Sequence, residues 1–251
     1  MSGGILAVSN QKGGVGKTTT AVNVAACLAE AGERVLIVDL DPQANASSGL
    51  GIRDPSRSSF DLLDGAPLTS VVVETQYQNL ALVPASQALA GAAVELGTLP
   101  ASESFLAEAL AEAAKTYSFV FIDCPPSLGP LTVAALVAAD RVLVPVQCEY
   151  YALEGLTQLL ETVERIRRGP NPRLTIGGIL LTMVDRRTRL SADVEAEVRR
   201  AFGSLVFNAV VPRSVRLAEA PSHGAPINAF ARESRGATAY FEVAGELVGR
   251  G

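Results

Sequence analysis

Short, unbroken apolar runs recur along the chain, each ending in a polar or glycine-rich turn. Residues 4–8, 34–40, 119–122 and 141–146 contain little or no apolar–polar alternation. Runs of that kind are strands buried on both faces, as in parallel α/β sheets. Between them lie segments with helical spacing. Residues 21–30 are rich in Ala and stop at Gly32, and residues 131–139 form a small-residue helix. Residues 103–115 read as an amphipathic helix with Phe105, Leu106 and Leu110 toward the core. A long helix opens at Glu149 and runs to about Arg168, where Gly169-Pro170-Asn171-Pro172 ends it.

The weaker segments complete the pattern. Residues 47–51 and 53–56 read as loop, and 60–65 as a short helical turn. Residues 68–74 and 80–84 are short strands. Residues 174–184 form another strand, with Gly177-Gly178 marking a bulge or a close approach. Ser191 caps a helix to about Phe202, residues 208–212 are a late strand, and 238–249 are a final helix. Strands and helices alternate from end to end. The expected fold class is α/β: a doubly wound, mostly parallel sheet flanked by helices, in one domain over residues 1–251 without repeats or linkers.

Composition narrows the class. Of 251 residues, 48% are hydrophobic and 19% charged, which suits a globular chain. Trp is absent and aromatics are 5%, so Ala, Val, Leu and Ile must build the core. Cys27, Cys124 and Cys148 are scattered and form no C-x-x-C pair, as expected in a reducing cytoplasm. No apolar run reaches the ~18 residues that span a bilayer, and no secretory leader is expected. Net charge is −5, but its distribution is uneven. Residues 1–164 hold 7 Lys+Arg against 18 Asp+Glu, a balance of −11, whereas residues 165–251 hold 14 against 8, a balance of +6. That asymmetry points to a basic face that meets an anion, or to ordinary solvated and ion-paired arginines.

Three strand ends carry the candidate chemistry. After the first strand comes Gln11-Lys12-Gly13-Gly14-Val15-Gly16-Lys17-Thr18-Thr19-Thr20. A strand, a glycine-rich turn and a helix N-terminus make a phosphate cradle. Lys17 would reach the β/γ-phosphates and the Thr18 hydroxyl would ligate Mg²⁺. The pattern G-x-x-x-x-G-K-[ST] departs from its usual form at Gln11, where a glycine is normal, and adds Lys12. The second strand delivers Asp39 and Asp41 to the edge where such sheets bind ligands, and Pro42 stops it. The third delivers Asp123, followed by Pro125-Pro126, in the Walker B arrangement. Asp123 would touch Mg²⁺ or orient a water bound to it.

The form K-G-G-x-G-K-T-T resembles the deviant Walker motif of the ParA/MinD P-loop NTPases. The stretches Asp39-Leu40-Asp41-Pro42-Gln43-Ala44-Asn45, Ile122-Asp123-Cys124-Pro125-Pro126-Ser127, Val146 to Gly155 and Pro212 to Ser222 resemble the Soj-type, chromosomal branch of the ParA ATPases in particular. The resemblance covers essentially the whole chain, and no N-terminal DNA-binding extension is expected. It implies an ATP- and Mg²⁺-dependent homodimer that binds DNA non-specifically. A ParB-type partner would stimulate hydrolysis and release, in the cytoplasm and on the nucleoid. It implies that Lys12 reaches the partner's phosphates, with Glu149 to Gly155 at or near the interface. By the same resemblance the P-loop residues Lys12, Gly13, Gly14, Val15, Gly16, Lys17, Thr18 and Thr19 hold the nucleotide, with Thr19 on the α-phosphate. Pro212 and Ser214 would lie near the adenine, although the family often has Asn where Ser214 stands.

The catalytic set implied is Lys12, Lys17 and Asp41. An ordinary aspartate is a weak base at neutral pH, so Asp41 would orient the attacking water. Metal ligation would fall to Thr18 and Asp123, with Asp39 either in the ion's shell or a structural hydrogen-bond acceptor. For DNA the resemblance points to Arg187 and Arg216, with Arg213 beside them, in the basic part of the chain. Contacts of this kind go to phosphates and carry little sequence information. His223 is expected to be a loop residue without a catalytic role.

Three other readings compete. A MinD-like membrane-positioning ATPase would need a basic amphipathic tail, and residues 240–251 carry two glutamates and one arginine. An iron–sulfur relative of the nitrogenase reductase type would need a better cluster site than Cys124 and Cys148 offer. A nucleotide-gated DNA-binding scaffold with negligible hydrolysis would make little use of Asp41.

Overall fold

The computed structural model describes residues 4–96, 104–150 and 152–250. The strands are β1 Gly4–Val8, β2 Val35–Asp39, β3 Val73–Glu74, β4 Leu80–Val83, β5 Phe119–Asp123, β6 Arg141–Gln147 and β7 Thr175–Thr182. They form one sheet in the order β3-β4-β2-β5-β1-β6-β7. All neighbours pair in parallel except the short edge strand β3, which is antiparallel to β4. This is the doubly wound, mostly parallel sheet that the apolar runs imply.

Alternate residues of each strand feed two cores. Ile5, Ala7, Leu36, Val38, Val120 and Ile122 face one side, packed by the helices Phe105–Leu110, Pro130–Ala138, Ala152–Arg167 and Arg189–Phe202. Leu6, Val8, Val35, Ile37, Phe119 and Phe121 face the other, under the helices Lys17–Glu30 and Arg235–Gly249. A strand covered on both faces must be apolar at every position, which is why β1, β2 and β5 lack alternation. Register does the rest: Val8 and Asp39 both lie opposite Asp123 on their shared neighbour β5. The ends of three strands therefore converge at one edge.

Several local expectations are corrected. Residues 45–49 form a helical turn rather than loop, tied down by Ser47, whose N–H and hydroxyl both donate to Asp39 Oδ2 at 2.9 and 2.7 Å. Residues 68–71 are a helical turn behind Pro67, and the strand there shrinks to β3. The amphipathic segment splits into Phe105–Leu110 and Ala113–Thr116; Leu106 and Leu110 are buried, but Phe105 is 40% exposed. Its expected start at Glu103 lies outside the described residues. The long helix begins at Ala152, not Glu149.

Thr188, not Ser191, caps the helix Arg189–Phe202. The Ser191 hydroxyl is engaged instead by the Asp185 N–H, 3.2 Å away. The late strand at 208–212 is replaced by two isolated parallel bridges, Ile179 to Val206 and Val184 to Pro212. Side chains take the place of the missing ladder: Glu246 accepts from the Asn208 and Ala209 N–H groups, and Arg199 donates to the Phe207 carbonyl. The expected bulge at Gly177-Gly178 is present, where β7 gains one residue against Val142 and Leu143.

Candidate functional site

The loop after β1 turns on glycines in the left-handed region. Gly14 has φ 75° and Gly16 φ 89°, and Gly16 is the N-cap of the helix Lys17–Glu30. A Cβ on Gly14 would meet nothing within 4 Å, so backbone conformation rather than space demands glycine there. The helix start has no side-chain cap and no acidic residue in its first turn. Its N–H groups and positive dipole end are left for an anion.

Buried bonds fix the loop from beneath. The Asn10 amide donates to the Pro145 carbonyl at 2.8 Å, and its oxygen accepts the Lys12 N–H at 3.0 Å. Thr182, at the end of β7, donates to the Val15 carbonyl at 2.8 Å. Asn23 accepts the Ile227 N–H at 2.6 Å and donates to the Thr19 carbonyl at 2.7 Å. Lys17 is 6% exposed, with its ammonium 3.1 Å from the Lys12 carbonyl. Burial lowers its pKa, while Asp123, Cys124 and Asp41 act to raise it.

The acidic side of the site divides into three roles. Asp39 is fully buried: one oxygen accepts the Asp41 N–H at 3.1 Å and the other accepts both donors of Ser47. Burial pushes its pKa up to about 6 against those hydrogen bonds. Asp123 is also fully buried, and neither of its oxygens makes a well-formed hydrogen bond, although the Thr18 hydroxyl stands near enough to act on it. Burial first, then the neighbouring Asp39, raises its pKa well above the usual carboxylate range, while the Thr18 hydroxyl and Lys17 oppose the shift. An orphaned buried carboxylate is costly unless something binds it. Asp41 accepts the Gln43 N–H at 2.9 Å and stands at the cleft wall.

These elements enclose a cleft of about 390 Å³. Gly13, Gly14, Gly16, Lys17, Thr18 and Thr19 line it on one side and Asp41 on another. Val15, Asp39, Asp123, Pro212 and Ser214 do not line it; Val15, Asp39 and Asp123 are buried, and Pro212 is bridged to Val184. Instead Met183, Pro221 and Ala225 close the far wall. Met183 has a left-handed backbone (φ 51°), unusual for a side chain of its size. Apolar and small residues of this sort carry no chemical signature in the sequence, so the far wall is legible only in the fold. Among the described residues, no group of three His, Cys, Asp or Glu could enclose a metal. A cation here would be held by Thr18 and Asp123 together with a ligand's own oxygens.

Lys12 lies outside that cleft. With Gln11, Pro126, Ser127, Gly155 and Gln158 it lines a separate, more open cleft, and its ammonium is ion-paired with Glu149. The three arginines expected on DNA are also outside. Arg187 is 86% exposed and paired with Asp185 at 2.7 Å, which holds that carboxyl well below the usual range. Arg216 is paired with Glu219 at 3.1 Å. The Arg213 N–H donates to the Val184 carbonyl at 3.2 Å, which places Arg213 beside the 185–187 loop. His223 stacks on Phe230 with ring centroids 4.8 Å apart. No described helix is long and apolar enough to cross a membrane.

A family model described as an AAA domain matches residues 3–176. The chain is 51% identical to the sporulation initiation inhibitor protein Soj of Bacillus subtilis, over 99% of this chain and 100% of that protein. It is 54% identical to the chromosome-partitioning ATPase Soj of Thermus thermophilus, over 98% and 95%. Among solved structures it resembles one named cobyrinic acid a,c-diamide synthase from Mycobacterium smegmatis, solved with ADP and magnesium and with an ATP analogue and magnesium. That likeness has a TM-score of 0.84 and 39% identity, over 97% of this chain and 93% of that one.

Proposed function

The chain belongs to the Soj/ParA family of chromosome-partitioning ATPases, and from that premise we propose a single-domain DNA-segregation switch. It hydrolyses ATP with Mg²⁺. As an ATP-bound homodimer it holds DNA without sequence preference, and it lets go when a ParB-type partner stimulates hydrolysis. Its place is the cytoplasm, on the nucleoid.

The residues fit that cargo. Lys17, Thr19 and the N–H groups of Gly13 to Thr18 bind the phosphates. Thr18 and the orphaned Asp123 hold Mg²⁺, which neutralises charge on the transferring phosphoryl group. Asp39, with both oxygens engaged by Asp41 and Ser47, acts as the acceptor that fixes the Asp41 loop. Asp41 orients the attacking water. Met183, Pro221 and Ala225 wall the nucleotide cleft on its far side.

The observation that carries the switch is the separation of the two lysines. Lys17 is buried in its own cleft, whereas Lys12 faces a second, open one. A lysine that does not reach its own chain's cleft is available to complete a partner's, as a cation supplied in trans. The membrane-positioning alternative gains nothing from the last helix, whose Tyr240, Val243 and Leu247 are buried in the core. The test measures molecular mass and DNA retention with ATP, ADP or no nucleotide, with and without a centromere-binding partner. Dimer mass and DNA retention only with ATP, reversed by the partner, supports the switch. One mass and one DNA affinity in every state overturns it.

A further inference from the structure

Leu205, Phe105 and Tyr150 apart, the large apolar side chains most exposed among the described residues are Val215 at 73% and Leu190 at 50%. Both sit among arginines. Leu190 follows Arg186-Arg187-Thr188-Arg189, and Val215 lies in Arg213-Ser214-Val215-Arg216. The two segments leave the sheet side by side, because Val184 bridges Pro212 and accepts the Arg213 N–H at 3.2 Å. The Asp185 carboxylate acts on Arg213 as well as on Arg187. One edge of the molecule therefore mixes exposed guanidinium groups with two exposed aliphatic ones.

A solvated arginine surface has no need of aliphatic residues at its crest, and leaving them in water is unfavourable. Duplex DNA offers a matching partner. Its phosphates take the arginines, and its sugar faces and groove floor accept apolar side chains. The intramolecular ion pairs do not prevent this. Arg187–Asp185 and Arg216–Glu219 are exposed, and such pairs are weak enough to be exchanged for phosphate. We propose that Leu190 and Val215 are apolar contacts to duplex DNA, giving this edge a share of its affinity that does not depend on salt. The inference rests on the DNA reading above and assigns two residues and an energetic component that charge alone does not supply.

Salt dependence separates the components. Phosphate contacts set the slope of log affinity against log salt, whereas apolar burial shifts affinity without changing that slope. The experiment compares wild type with Leu190→Ser/Val215→Ser on a 60-base-pair duplex of arbitrary sequence, with a non-hydrolysable ATP analogue and Mg²⁺, from low to high salt. Melting temperature and nucleotide affinity serve as folding controls, since neither residue lines the nucleotide cleft. The expected result is an unchanged slope with affinity lower by roughly tenfold at every salt concentration. Equal affinity throughout overturns the inference while leaving the DNA reading intact. So does loss of dimer mass in the double variant, which would place the two residues in the interface between copies. Vesicles of phosphatidylglycerol and phosphatidylethanolamine form the last arm. Binding to them that the double variant loses, with its DNA affinity unchanged, overturns the inference in favour of a membrane contact. Failure of wild type to bind DNA at all overturns the DNA reading itself.

Discussion

Lys12 and Glu149 are ion-paired within one chain, both side chains 36% exposed. If Lys12 serves a partner subunit, this pair competes with that reach. A half-exposed pair is worth about 0.2–1 kcal/mol. Glu149→Gln is therefore expected to lower the ATP concentration needed for dimerisation by roughly 1.4- to fivefold. Sedimentation across an ATP titration checks this. A variant that needs more ATP than wild type would mean that Glu149 itself contributes to the interface.

Asp41→Ala is expected to keep nucleotide binding and the ATP-driven dimer while losing turnover by about 10²-fold or more. Asp41 lines the cleft and accepts the Gln43 N–H, but its loop is also held by Asp39, which accepts the Asp41 N–H and both donors of Ser47. Single-turnover hydrolysis and mass by light scattering separate the two effects. If the variant stays monomeric with ATP, the water-positioning role is wrong.

Much of this site was legible in the sequence because its chemistry sits in fixed-length turns after unmistakable strands. Asp39, Asp41, Asp123 and the residues of the phosphate loop fall at strand ends that the apolar runs delimit by themselves. What was illegible depends on distant partners. Ser47 becomes helical because Asp39 captures it, and of residues 208–212 only Val211 keeps backbone bonds to the sheet, with Leu181 and Val184, while Glu246 takes the Asn208 and Ala209 N–H groups. Ser191 looks like a cap but its hydroxyl is claimed by Asp185. Met183 and Ala225 wall the cleft through topology alone, with no polar atom to announce them.

The Asp39 carboxyl gives the protein an unusual pH response. Its pKa rises from 3.8 unfolded to about 6 folded, chiefly through burial. Between those values the folded chain holds a proton that the unfolded chain has lost. This site's contribution to stability is therefore greatest below pH ~4 and falls as pH rises to ~6. Each unit of such a shift corresponds to about 1.4 kcal/mol. Asp39→Asn cannot ionise, so without nucleotide it should lose less stability than wild type between pH ~4.5 and ~7. Urea midpoints at the two pH values test this, and parallel losses would refute it.

Arg216→Glu should leave ATP-driven dimerisation intact and remove DNA retention. Arg216→Ala is the finer test. Loss of one phosphate contact per subunit should reduce the salt slope of DNA binding by roughly one unit per contact. Normal affinity and slope in both variants would mean that the Arg216–Glu219 pair is a solvated surface feature.

Among the described glycines, Gly178 is the one at which an added Cβ would meet the nearest atom. A Cβ there would lie 2.9 Å from Phe207 Cδ2 and closer still to Cε2. Phe207 cannot retreat. It is fully buried, its N–H donates to the Ile179 carbonyl at 2.9 Å, its carbonyl accepts from Arg199 at 3.0 Å, and the Arg250 guanidinium sits 4.3 Å from its ring centroid. Gly178 is also the residue at which β7 resumes register with β6 after the bulge, four positions before Thr182 braces the phosphate loop. Gly178→Ala is therefore expected to cost about 3 kcal/mol or more, a melting-temperature loss of roughly 6–12 °C. Gly91→Ala is the control. It lies in the helix Leu89–Leu96 with no atom within 4 Å of its would-be Cβ, and should be neutral or stabilising by up to about 1 kcal/mol. Phe207→Leu in the Gly178→Ala background should restore part of the loss, because it removes the ring that the new methyl meets. If it does not, the cost of Gly178→Ala lies in the bulge itself rather than in the collision.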